Sequence, residues 1–188
     1  MGSFAVITLI GLVTASALVA GIIPLETPDF CSPGTMVVYN NTLINGKTFV
    51  HAACESITAP AIEARGGGPT LSKRLINLCG APCTTDCISG TGGPDPNDCS
   101  DLANLYEPDG TFEFPQANWE MWWYLDSCKV FMGNYYSDRI EYCYDWSNWA
   151  GVVEYVAWNC QATTGGYNGG NCKFYDSDST AWLHIEHS

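Results

Sequence analysis

The chain has 188 residues, 46% of them hydrophobic and 13% aromatic, which is enough apolar material for one domain with a real core. Its formal net charge of −13 is unevenly spread: residues 1–80 hold four acids and four bases, whereas 81–188 hold sixteen acids against Lys129, Arg139 and Lys173. A surface that acidic repels phosphate backbones, so nucleic acid and anionic membranes are not expected partners.

Residues 1–21 carry no charged side chain, and 4–19 form an apolar run broken only by small residues. Ala15-Ser16-Ala17 and Val19-Ala20-Gly21 offer small residues at cleavage spacing, so 1–20 reads as a signal peptide and the protein as secreted and extracellular. The run is shorter than the ~20 apolar residues of a membrane span, and no later segment approaches that length. The expected organisation is then one disulfide-rich domain over 21–188. It divides into a Cys-rich part, 31–90, and an acidic, aromatic-rich part, 97–188.

Residues 36–39 are β-prone, and Asn40-Asn41 and Asn45-Gly46 read as turns. Thr48 is placed to cap a short helix through Phe49, Val50, Ala52, Ala53 and Ile57, ending before Pro60. Gly66-Gly67-Gly68-Pro69 breaks the chain without the Lys-Ser/Thr ending of a phosphate loop, and 90–96 reads as a Gly/Pro linker. Asn97 or Asp98 then caps a helix over 98–106, whose Cys99, Leu102, Ala103, Leu105 and Tyr106 follow the 3.6 period before Pro108-Asp109-Gly110 stops it. Strands are expected at 111–114, 127–132 and 139–144, while 118–125 is apolar on both parities and stays open between helix and strand. A second helix is expected over 147–160. Gly165-Gly166 interrupts, and a closing hairpin follows from 172–175 and 181–187 around Asp176-Ser177-Asp178-Ser179. Helices mixed with antiparallel strands define an α+β class: one antiparallel sheet with two or three packed helices, stapled by disulfides.

Ten cysteines, all downstream of the leader, make an even set: Cys31, Cys54, Cys79, Cys83, Cys87, Cys99, Cys128, Cys143, Cys160 and Cys172. In a secreted chain this reads as five disulfides with no free thiol and no metal. Cys99 is expected to bridge to Cys128, Cys143, Cys160 or Cys172, which share its packing unit. Asn40-Asn41-Thr42 makes Asn40 the one candidate for N-glycosylation. Nineteen of the 24 aromatic residues, including all seven Trp, follow residue 110. That excess points to a ligand surface, with Trp122, Tyr135, Tyr136 and Trp146 as the candidate exposed patch. His184-Ile185-Glu186-His187 has no metalloprotease spacing; on a strand His184 and Glu186 share one face, and the segment reads as a solvated terminal strand. Asp95-Pro-Asn-Asp98 and Asp176-Ser-Asp178 are fragments of calcium-loop patterns without the full ligand spacing.

The stretch 98–188 resembles the fungal extracellular effector family of necrosis-inducing factors. The resemblance lies in Asp98-Cys99 with Leu102 on a short helix, Gly110-Thr111-Phe112 opening a strand, Ser127-Cys128-Lys129-Val130 as a second strand, and a last strand carrying Trp182. Another resemblance is to the small secreted glycan-binding lectins of mushrooms, through Thr48-Phe49-Val50 with Cys54-Glu55-Ser56-Ile57, Gly67-Gly68 and Ser72, Asp98-Cys99-Ser100-Asp101-Leu102, and Gly165-Gly166-Tyr167 with Phe174 and Asp176. The first resemblance implies an effector acting outside the cell by binding a partner, and the second implies a lectin. Neither supplies catalytic residues, and the expectation is a non-enzymatic protein without a cofactor. Its partner is expected to be an extracellular protein or a glycan; a small hydrolase using two of the C-terminal acids is the third possibility.

Overall fold

The computed structural model describes residue 29 and residues 31–57, 75–106, 110–114, 118–135, 138–160, 167–174 and 181–188. The leader, Gly66-Gly67-Gly68-Pro69, Pro108-Asp109, Tyr136, Gly165-Gly166 and the Asp176–Ser179 turn lie outside the described residues. Among the described residues, ten strands and two helices follow in chain order: β1 (Val37–Ile44), β2 (Lys47–Glu55), β3 (Leu75–Asn77), β4 (Cys83–Ser89), α1 (Pro96–Asn104), β5 (Thr111–Phe114), β6 (Trp119–Leu125), β7 (Cys128–Asn134), β8 (Arg139–Cys143), α2 (Trp149–Cys160), β9 (Tyr167–Phe174) and β10 (Trp182–His187). The α+β class and both expected helices are present.

Seven strands form one wholly antiparallel sheet in the order β1-β2-β6-β7-β10-β9-β4. A smaller sheet, β3-β8-β5, has a parallel β3–β8 pair and an antiparallel β8–β5 pair. One sheet drawn from 98–188 was expected; the N-terminal half instead supplies β1, β2, β3 and β4, so the two halves are interwoven.

The period-2 pleat sorts side chains to the two faces of the large sheet. Phe49, Met121, Trp123, Leu125, Val130, Met132, Leu183, Ile185 and Phe174 point inward, where α1, α2 and the small sheet cover them in one core. On the opposite face, Val50, Ala52, Cys54 and Trp122 form a second, smaller cluster with Cys31, against which Met36, Tyr124 and Phe131 pack. The segment 31–36 lies across this face, held there by the Cys31–Cys54 disulfide.

That double cover explains why β2 is a strand and not the helix expected from Thr48. Phe49, Val50, Ala52 and Ala53 mimic helical spacing because both faces of the strand are buried. The same two-sided burial makes 118–125 a strand, β6. Asn40-Asn41 is not a turn either: β1 runs through it with a bulge between Val38 and Asn40, and Asn40 sits half-buried on the sheet's edge strand. The chain turns instead at Asn45-Gly46, both with positive φ (51° and 81°), as a two-residue hairpin requires. The cap of α1 is Asp95, one turn's start earlier than expected; its side chain accepts from the Asn97 backbone N–H and Pro96 opens the helix.

All ten cysteines pair, as Cys31–Cys54, Cys79–Cys143, Cys83–Cys172, Cys87–Cys160 and Cys99–Cys128. Three of them tie segment 79–89 to β8, β9 and α2, covalently locking the halves together. Cys99–Cys128 clips α1 to β7, within the set of partners expected for Cys99. Beside it, Asp98 accepts from Lys47 Nζ (2.7 Å) and from the Ser127 hydroxyl (2.6 Å) and backbone N–H (3.2 Å). Burial pushes the Asp98 carboxyl up, but these donors outweigh it and hold the pKa below the usual value.

His51 is 8% exposed, stacked between Tyr39 (4.7 Å) and Trp123 (5.0 Å), with the Tyr106 hydroxyl 3.0 Å from Nδ1. Burial lowers its pKa to about 4. The unfolded chain therefore takes up a proton near pH 6.5 that the fold refuses until about pH 4, and stability falls as pH drops through that window. His51→Gln is expected to flatten the fall by about 3 kcal/mol in total, read as the difference between variant and wild type in urea unfolding at pH 7 and pH 4. Replacing Cys99 and Cys128 together by Ser opens a loop with a sequence separation of 29 and is expected to cost about 3–4 kcal/mol, measured by the same unfolding.

Candidate functional site

The outer face of the large sheet is covered over β2 and β6 and open among the described residues over β7, β10, β9 and β4. Register places its side chains in rows. One row runs Glu120, Gly133, Trp182, Lys173, Thr84, and the next runs Trp122, Phe131, His184, Asn171, Asp86. Tyr124, Lys129 and Glu186 make a third. Trp182 is half-buried at the centre of the open part, with Phe131 edge-on (6.0 Å) and Tyr135 near-parallel (6.4 Å). The Tyr135 ring lies back across Gly133, where an added Cβ would meet it at 2.6 Å, so a side chain at 133 would push the tyrosine off the face.

Two concavities meet at Trp182. The first, of 260 Å³, is bounded by Glu120, Lys129, Phe131, Tyr135, His184 and Glu186 together with Trp182. The second, of 410 Å³, runs over Asp86, Asn171 and Lys173 between Trp182 and Tyr135. A larger hollow of 690 Å³ at the start of α1 includes Asp95, Asp98 and Ser127, but their polar groups are committed to the helix cap and the Lys47–Asp98–Ser127 network. We therefore place the candidate site on the open sheet face. The Asp95–Asp98 fragment is architectural, and among the described residues no three His, Cys, Asp or Glu are grouped to hold a metal.

The carboxylates of the first concavity differ in proton affinity. Glu120 is 1% exposed; Oε1 accepts from the Tyr135 hydroxyl at 2.6 Å. Its pKa is raised by burial, with the Tyr135 and Ser56 hydroxyls acting the other way, and Oε2 completes no well-aligned hydrogen bond among the described residues. Glu186 is held down to about 2 by His184 (Nε2 to Oε2, 3.4 Å), against burial, and by Lys129 (Nζ to Oε1, 2.8 Å). Burial and the neighbouring Glu120 push the Tyr135 phenol above its ordinary range, so it remains a donor.

Of the four aromatic residues from which an exposed patch of at least two was expected, Trp122 and Trp146 lie off the open face. Trp122 is 2% exposed because segment 31–36 and its disulfide cover it. Trp146 is partly buried against the main core at the start of α2, on the other side of the sheet. Only Tyr135 stands on the open face; Tyr136 is outside the described residues. Trp182, Phe131, His184, Glu186 and Glu120 were not selected from the sequence as ligand residues. The signal for three of them was present, since Trp182, His184 and Glu186 alternate on one strand face. It read as a solvated terminal strand because chain position does not reveal that β10 lies inside the sheet. The more exposed rings lie elsewhere: Tyr155 (59%) and Trp158 (48%) on α2 and Tyr39 (52%) on β1.

Comparison with family models, with curated proteins and with solved structures returns no match to this chain. The site is therefore defined by its geometry. A Glu120→Gln substitution is expected to raise stability at pH 7 but not at pH 4. The fold's raised carboxyl pKa makes the ionised Glu120 a cost once pH exceeds the unfolded value of 4.5, whereas the amide keeps the acceptor for Tyr135; thermal unfolding at both pH values measures this.

Proposed function

We propose that the protein is a secreted, disulfide-stapled binding protein of effector type that acts outside the cell without catalysis, and that it binds a glycan on its open sheet face. The observation that carries the reading is Trp182: a half-buried indole in mid-sheet, flanked by Phe131 and Tyr135 and ringed by side chains able to bond hydroxyls. Flat aromatic faces stack on the apolar faces of sugar rings, while Asn171, Asp86 and Lys173 on one side and Lys129 and Glu186 on the other supply donors and acceptors. The five disulfides support an extracellular setting. No helix among the described residues is long and apolar enough to cross a membrane.

Opposed proton affinities at Glu120 and Glu186 favour glycoside hydrolysis as a second reading, with Glu120 as acid and Glu186 as the anion. Commitment and burial count against it. Glu186 is ion-paired with Lys129 and held by His184, and Glu120 is 1% exposed with its Oε1 taken by the Tyr135 hydroxyl, whereas a working pair must both reach the substrate.

A glycan array on the oxidised protein tests the proposal. Saturable binding is expected, weakened roughly 10- to 100-fold by Trp182→Ala, since loss of a stacking ring is worth about 1–3 kcal/mol. Trp158→Ala should leave it unchanged. Release of reducing ends from a bound oligosaccharide would establish hydrolysis instead.

A further inference from the structure

We propose that Asn40 carries an N-linked glycan that keeps the edge strand β1 from pairing with β1 of a second copy of this chain. Of the reading above it uses only secretion, and it does not depend on what the open sheet face binds.

The large sheet has two edge strands. One, β4, is blunted by a register shift between Cys87 and Ser89, by the charge of Asp86 and by disulfides at Cys83 and Cys87. The other, β1, pairs with β2 alone among the described residues, and Val37–Ile44 holds neither a charged residue nor a proline. A bulge interrupts β1 between Val38 and Asn40, but 40–44 then runs in unbroken register against 47–51. Alternate residues of such a run turn N–H and C=O groups away from the neighbouring strand, which makes a template for a further strand. Val37, Val38 and Tyr39 are exposed on it, and Leu43, at 63%, is the most exposed large apolar side chain among the described residues.

Charge selects the occupant. The net −13 repels a second copy from the acidic half, whereas β1 belongs to residues 1–80, where four acids meet four bases. Two antiparallel copies of 40–44 are also self-complementary about a two-fold axis. The one sequon of the chain lies in this run. Asn40 is half-buried and Thr42, which completes the sequon, is exposed; the amide oxygen sealed from solvent is that of Asn41. In the transfer, Asn40 Nδ2 bonds to the anomeric carbon of a lipid-pyrophosphate oligosaccharide as the carbon–oxygen bond to the pyrophosphate breaks. The pyrophosphate leaves with the electron pair, and Nδ2 gives up one proton to a base of the transferase. The product is bulky and solubilising, and at Asn40 it stands where an approaching strand would lie.

The test is secretion of the full chain from a eukaryotic host, followed by sedimentation from about 5 to 500 µM, a range that brackets a weak interface. Wild type in the medium is expected to lose mass on treatment with a glycan-releasing amidase and to sediment as a monomer. Asn40→Gln and Thr42→Val, which lack the sequon, are expected to dimerise reversibly with a Kd of about 10–100 µM, as suits a short edge contact. Asn40→Gln combined with Leu43→Lys should return to monomer. If neither single variant leaves the cell, folded wild type trimmed enzymatically to its first sugar should associate instead. Secreted wild type without a glycan, glycan-free protein that stays monomeric throughout, or a dimer that survives Leu43→Lys overturns the inference. Retention of wild type inside the cell removes the secretion reading, and the inference falls with it.

Discussion

The pairing of β10 with β7 on one side and β9 on the other is the constraint on which the rest of the structure depends. Without it the large sheet would separate into β1-β2-β6-β7 and β9-β4. The last strand in the chain thus joins two sets of strands drawn from both halves of the sequence. Its inward residues, Leu183 and Ile185, are fully buried under the helices. Its outward residues, Trp182, His184 and Glu186, are thereby set in the middle of a sheet face, with neighbours on both sides. One strand serves the core on one parity and the candidate site on the other.

The disulfides act around that strand and not through it. Cys83–Cys172 and Cys87–Cys160 fasten β4 to β9 and α2, Cys99–Cys128 fastens α1 to β7, and Cys79–Cys143 holds the small sheet to the segment before β4. The three bridges of segment 79–89 join pieces 64, 89 and 73 residues apart and so remove the most conformations from the unfolded chain. Cys31–Cys54 differs in its place on the outer face. By pinning segment 31–36 over Trp122, it covers one half of that face, leaving the other open among the described residues.

On the open half the energetics are those of a poised surface. Glu186 is ion-paired with Lys129 and lies beside His184, whereas Glu120 is buried with hydroxyls and no cation at its carboxyl, and burial raises its pKa. A carboxyl whose pKa the fold raises weakens that fold at neutral pH. The aromatic trio beside it supplies contact area at little entropic cost, since each ring has only two rotatable bonds.

Local chemistry determined much of this protein from the sequence by itself. Helices α1 and α2 were legible because each buries one stripe at a 3.6 period, and strands β5, β7 and β8 because short alternating or apolar runs there have no competing period. The even cysteine set implied complete pairing, and the Asn45-Gly46 turn carried its own backbone requirement. What the tertiary structure alone decided was burial on the second face and neighbourhood across the sheet. Phe49-Val50 and Ala52-Ala53 read as a helix until segment 31–36 is seen to cover their outer side. Trp122 read as exposed for the same reason, and Trp182, His184 and Glu186 read as a solvated end because strand order is not chain order. Periodicity reports which residues want to leave water; only the packed sheet decides which of two faces is covered, and therefore where a ligand surface remains.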